Sequence, residues 1–137
     1  MHGKGDHGFV KTLVNIARQK GASAYIGDGA NRWTAVHRLD AARLVRLALE
    51  KRRPGSIFHA VDEEAIATRS IAEVIGRHLE VPVTSVAPEA AAAHFGWIAR
   101  FFAMDQAASS ALTRAELGWT PVHPGLIEDL AEGHYFE

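Results

Sequence analysis

The chain has 137 residues, 47% of them hydrophobic and 23% charged, which suits one domain over residues 1–137 with a core of its own. Its formal net charge of -1 gives no electrostatic case for nucleic acid or an anionic membrane surface. Cysteine is absent, which removes disulfides, thiolate nucleophiles and cysteine-rich zinc sites.

Phe9, Val10, Leu13, Val14 and Ala17 recur at helical spacing, so the first element is an amphipathic helix ending near Gly21. Ser23 to Gly27 follows as a short strand, and Asp28-Gly29 is a turn signal toward a second strand, Arg32 to His37. Asp40 stands where it would N-cap a helix carrying Ala41, Leu44, Val45 and Ala48, which gives out at Arg53-Pro54-Gly55. The basic cluster Lys51, Arg52 and Arg53 reads as solvated charge on the favourable end of that helix dipole.

Ser56 to Val61 is a nearly continuous apolar run, the pattern of a strand buried on both faces of a parallel sheet. Thr68 is expected to cap a helix with Ile71, Ala72, Val74, Ile75 and Leu79, and Val81 to Val86 reads as an edge segment because Pro82 cannot donate to a ladder. Pro88 opens a helix over Glu89 to His94. Thr113-Arg114-Ala115-Glu116 fits a capping box before Gly118, and a last helix holds Leu126, Ile127, Leu130 and Ala131. Strands alternating with helices make the class α/β or mixed α+β. The first residues carry no apolar signal segment, and the most apolar stretch, Ala90 to Met104, is broken by His94 and Arg100. A soluble cytoplasmic protein is the default expectation.

Gly3-Lys4-Gly5-Asp6-His7-Gly8 spells G-x-G-x-x-G, with Asp28 twenty residues beyond Gly8, the layout of a dinucleotide fingerprint. That fingerprint works only behind a buried strand that aims the turn, and only Met1 and His2 precede it here; a glycine-rich entry loop is the plainer reading. The eight histidines include no pair at ligand spacing, and Asp6-His7 and His37-x-x-Asp40 suit surface bonds or caps, so no metal is expected. Ser109 and Ser110 lie in no nucleophile elbow. Arg32, flanked by Asn31 and Trp33 after the glycine turn, presents a guanidinium fork at the mouth of a hairpin. It is either a partner for a carboxylate or phosphate or a solvated surface arginine.

The run from Gly27-Asp28-Gly29-Ala30-Asn31-Arg32-Trp33 through Val36-His37-Arg38-Leu39-Asp40 resembles a hallmark of the extended short-chain dehydrogenases/reductases, the NAD-dependent epimerase/dehydratase family. Arg38 departs from the valine common there. Leu117-Gly118-Trp119-Thr120-Pro121 looks like that family's Leu-Gly-Trp-x-Pro signature, Ser56 to Val61 is similar to its late sheet strand, and Met1-His2-Gly3 resembles the exit of an earlier strand. The resemblance implies an α/β, partial Rossmann-like fold, a late sheet strand plus helices, with a small mixed substrate-side subdomain. It also implies substrate contacts at Arg32, Asn31 and Trp33, Arg32 facing a phosphate. The family's Gly-x-x-Gly-x-x-Gly and Tyr-x-x-x-Lys do not occur in this sequence, since Tyr25 is followed four residues on by Gly29. No catalytic or cofactor-binding residue is therefore expected, and no cofactor for this chain alone, although the family uses NAD or NADP.

The expected function is a partial, substrate-side member of that family, inactive alone. The alternative is a free-standing oligomeric interaction or small-molecule-binding module; an active nucleotide enzyme using Gly3 to Gly8 is a weaker third. Because the Ser56 to Val61 strand would lack sheet neighbours, a homo-oligomer through Ile57, Phe58, His59, Ala60 and Val61 is expected. A monomer that tucks this strand beside Ser23 to Ile26 or Thr84 to Val86 is the other outcome.

Overall fold

The structure, a computed structural model, describes residues 1–51 and 54–137. Of the basic cluster and the helix end expected at Arg53, residues 52 and 53 lie outside the described residues. Helix α1 (Phe9–Lys20) buries Val10, Leu13, Val14 and Ala17 on one face and ends on Gly21 in the left-handed conformation, φ 65°. Strand β1 (Ser23–Ile26) pairs in parallel with β4 (Val83–Val86), and β2 (Arg32–Ala35) pairs antiparallel with β3 (Glu63–Ala67). Helix α2 (Arg38–Lys51) follows β2, and α3 (Thr68–Leu79) connects β3 to β4 and packs on β1. The rest is helical: 3-10 turns at Pro88–Ala90 and Gly96–Ile98 around α4 (Ala91–Phe95), then α5 (Ala99–Phe102), α6 (Ala111–Leu117) and α7 (Leu126–Ala131), with a closing turn His134–Phe136. The fold is α/β.

β1 and β2 do not form the hairpin that the glycine turn suggests. Gly29 sits at φ 69°, and a Cβ on it would stand 2.6 Å from Arg69 Cβ and 2.7 Å from the Tyr25 ring. Asp28 Oδ1 accepts the N–H of Ala30, and the chain passes from one two-stranded sheet into the other.

Ser56 to Val61 is not a strand. The segment makes no ladder, and Ile57 is 83% exposed while Val61 is buried. A strand apolar on both faces needs neighbours on both edges, and β1 and β4, the alternative partners, pair with each other. The segment is tethered at His59, whose N–H donates to Thr113 Oγ1 at 2.8 Å. The strand of this region is β3, whose buried side chain is Ile66.

Three expected caps resolve differently. Asp40 lies inside the first turn of α2, fully buried, because the helix starts earlier, at Arg38. Thr68 caps nothing; its hydroxyl donates to Asn31 Oδ1 at 2.7 Å. Thr113 is buried within α6, which begins two residues before it, so the capping box does not form. Val45, expected on the inner face of α2, is exposed.

Candidate functional site

Strand β2 carries the predicted ligand residues in series, and their side chains diverge. Asn31 is spent inside the chain: its amide donates to the carbonyls of Phe102 at 2.7 Å and Met104 at 3.2 Å, and its oxygen accepts Thr68. Arg32 forks onto Asp105, Nε to Oδ1 at 2.9 Å and NH2 to Oδ2 at 2.7 Å, while its backbone N–H donates to the same carboxylate at 2.8 Å. The guanidinium is half exposed, and Asp105, through the side-chain and backbone bonds from Arg32, is held at about 2. Trp33 turns the other way, edge-on to Phe9 at 5.7 Å and to Phe102 at 5.3 Å.

Trp33 thereby becomes a wall of a cavity of about 160 Å³, with His2, Phe9, Thr34, Phe101 and Gln106 among the other walls. Gln106 is brought there by its N–H, which donates to the Arg32 carbonyl at 2.7 Å. Two residues of this lining, Trp33 and His2, each carry a ring nitrogen, Nε1 and Nε2, that is buried without a hydrogen-bond partner. A buried polar group left unpaired costs about 1–3 kcal/mol, so two beside one cavity are an invitation to a ligand or water.

His2 is held from behind. Its backbone forms a parallel bridge with His37, and its Nδ1 lies 2.9 Å from Oδ2 of Asp129, which lies within α7. The same oxygen accepts the Tyr135 hydroxyl at 2.9 Å, and Tyr135 in turn accepts the N–H of Gly3 at 2.6 Å. Burial, with Asp129 beside it, pushes the Tyr135 hydroxyl far up, so it remains a donor. His37 stands edge-on to His2 at 5.4 Å and stacks on His123 at 4.6 Å; burial, then the two imidazoles, lowers it and favours the neutral ring.

Of the residues the motif singles out, Trp33 lines this cavity and Asn31 and Arg32 do not, while His2 and Gln106 on the lining, Asp129 and Tyr135 behind His2, and Asp105 against Arg32 carry no signal that the sequence reading used. Asp105 and Gln106 lie in an aperiodic stretch, and Asp129 meets His2 across 127 residues of chain. Met1-His2-Gly3 was the available signal, read only as the end of a strand.

No family model matches this chain. It is 54% identical over 136 residues to the Schizosaccharomyces pombe protein named "Uncharacterized protein C2A9.02", covering 99% of this chain and 46% of that one. It is 50% identical over 130 residues to the Saccharomyces cerevisiae protein named "Uncharacterized protein YLL056C", covering 95% and 44%. The chain thus spans a little under half the length of these curated relatives. Among solved structures, DesIV from Streptomyces venezuelae, a dTDP-glucose 4,6-dehydratase crystallised with NAD and TYD bound, matches with a TM-score of 0.66. The match is at 22% identity and covers 90% of this chain and 36% of that chain, a likeness of fold. Among the described residues no helix is long and apolar enough to cross a membrane.

Proposed function

We propose that this chain is the substrate-side portion of an enzyme of the NAD(P)-dependent epimerase/dehydratase type. In it the cavity between His2 and Trp33 takes a small organic ligand, and the chain alone is inactive. The observation that carries the reading is a cavity between His2 and Trp33, two lining residues that each keep a buried ring nitrogen without a hydrogen-bond partner. Trp33 brings an indole N–H and His2 an imidazole nitrogen to the neighbourhood of the cavity, while Phe9 and Phe101 supply apolar wall. The dehydratase likeness over 90% of the chain supports the fold context, and the sequence motifs from Gly27 to Asp40 and from Leu117 to Pro121 support the family. Neither the family's cofactor motif nor its Tyr-x-x-x-Lys pair occurs in this sequence, and the N–H of Gly3, which a phosphate would need, is spent on Tyr135. Arg32 stands on the strand that leads to the cavity, already neutralised by Asp105, so an anionic ligand group would have to displace that carboxylate.

The test is a nuclear magnetic resonance titration with a neutral fragment, cyclohexanol, watching the Trp33 indole N–H, assigned by its loss in Trp33→Phe. A selective shift of that resonance over those of Trp97 and Trp119 is expected; no shift, or an equal shift of all three, contradicts the reading. A second reading, self-association through the Ile57 to Val61 segment, is favoured by the 83% exposure of Ile57, since Val61 is buried and Phe58 and Ala60 pack against the chain's own core. Light scattering at micromolar concentration would support it with a dimer mass reduced by Ile57→Asp, and the 14.9 kDa monomer mass counts against it.

A further inference from the structure

Asp129, Glu132 and His134 follow one another where α7 gives way to the closing turn, and their ligand-capable atoms lie within 4.8 Å of one another. Asp129 is 2% exposed, and its Oδ2 is already fixed by His2 and Tyr135. Its Oδ1 faces His134 Nε2 across 3.6 Å, beyond hydrogen-bond reach. That imidazole side chain is only 10% exposed, and Nε2 is buried with no hydrogen-bond partner. Gly133, at φ 92°, reverses the chain so that the ring turns back toward the helix it has just left.

A buried imidazole nitrogen and a buried carboxylate oxygen at this separation can both reach one ion, since each sits about 2.0–2.2 Å from a bound zinc. The other oxygen of that carboxylate is anchored by an imidazole and a phenol, the outer support that orients a ligating carboxylate. Glu132 is more than half exposed, its Oε2 3.8 Å from the far nitrogen of the ring, and it offers a third ligand atom within the same 4.8 Å span.

We propose that Asp129, Glu132 and His134 form a site for a divalent cation of the zinc class, completed by water. One imidazole with two carboxylates suits Zn²⁺ or Co²⁺ better than Mg²⁺, which favours all-oxygen surroundings. The ion would lie across the Asp129 carboxylate from His2, outside the cavity, and would lock the C-terminal turn onto the Gly3 segment that Tyr135 holds. The site is independent of the functional reading above.

The chain, stripped with a chelator, is titrated with Zn²⁺ and separately with Mg²⁺ by calorimetry, and with Co²⁺ by visible absorption. One equivalent of Zn²⁺ is expected to bind, at least about tenfold more weakly in both His134→Gln and Glu132→Gln, with the cobalt bands lost in His134→Gln. The seven remaining histidines make adventitious binding the competing outcome. Zn²⁺ binding undiminished in both variants, no Zn²⁺ binding, or Mg²⁺ bound as tightly as Zn²⁺ overturns the proposal. If His134→Gln fails to fold, Glu132→Gln, altered at an exposed side chain, carries the test alone.

Discussion

Around α1 and α3 a continuous apolar core runs from Val10 and Val14 through Ile71 and Ile75 to Phe95, Ile98 and Phe102, and Leu126 and Leu130 close it. Between α2 and α6 the buried apolar set is Val36, Ala41, Leu44, Leu117 and Trp119, while Val45, Leu49, Ile57 and Leu112 on the same elements or beside them stay exposed. The small core compensates with polar anchors that converge on one residue. Asp40 accepts the N–H groups of Val122 at 3.1 Å and His123 at 2.9 Å, its backbone carbonyl accepts Trp119 Nε1 at 2.9 Å, and Arg43 reaches its Oδ1. One region is held by area removed from water, the other by satisfied hydrogen bonds around a buried carboxylate, and the two fail under different insults.

The largest expected effect lies in the large core. Phe102→Ala removes a fully buried ring that packs on both Trp33 and Phe95, and is expected to cost about 3–5 kcal/mol by denaturant unfolding and to broaden the Trp33 indole resonance. Asp40→Ala comes next, at about 2–3 kcal/mol, because it strands the Val122 and His123 N–H groups. A cost below about 0.5 kcal/mol would mean that apolar packing holds both cores alike and would erase the contrast.

Acid sharpens the same comparison. Burial alone would push the Asp40 carboxyl up, yet the His123 and Val122 N–H groups and the His123 imidazole outweigh it and the group is lowered. A depressed carboxyl contributes stability that is full above its unfolded value and lost as pH falls through the folded one. Acid unfolding should therefore begin on the α2–α6 side, seen as Trp119 fluorescence changing before Trp33, and Asp40→Asn should remove that early phase. Simultaneous change of both tryptophans contradicts it.

Arg32→Ala is the smallest effect. The pair with Asp105 is half exposed, and such pairs contribute little, so the melting temperature should move by about one degree or less. A drop of several degrees by calorimetry would make Arg32 a structural clamp.

Most of the large core was legible in the sequence, because α1, α3 and α7 bury their apolar residues at the spacing that marks one face of a helix, and Gly21 stops α1 in the left-handed conformation. The small region was misread for a physical reason. Ser56 to Val61 has strand composition, but ladders depend on neighbours that composition does not reveal. In the large core β3, which buries Ile66 there, hid behind Glu63 and Glu64, and Glu63 is tolerated because its carboxylate accepts the Leu126 N–H at the start of α7. Asp40 carried the right chemistry and the wrong role, since its partners lie 82 and 83 residues away. Of the cavity lining, Trp33 could be named from the motif, whereas the His2–Asp129–Tyr135 support joins the two ends of the chain and leaves no local pattern.

On the proposed function, substrate-side binding belongs to this chain and cofactor chemistry does not. Calorimetric titration of the chain with NADPH and with NADH at millimolar concentration tests that division directly. No binding heat is predicted for either. Micromolar affinity for one of them, abolished by Gly5→Val in the glycine loop, would contradict the account and return the nucleotide site to Gly3 through Gly8.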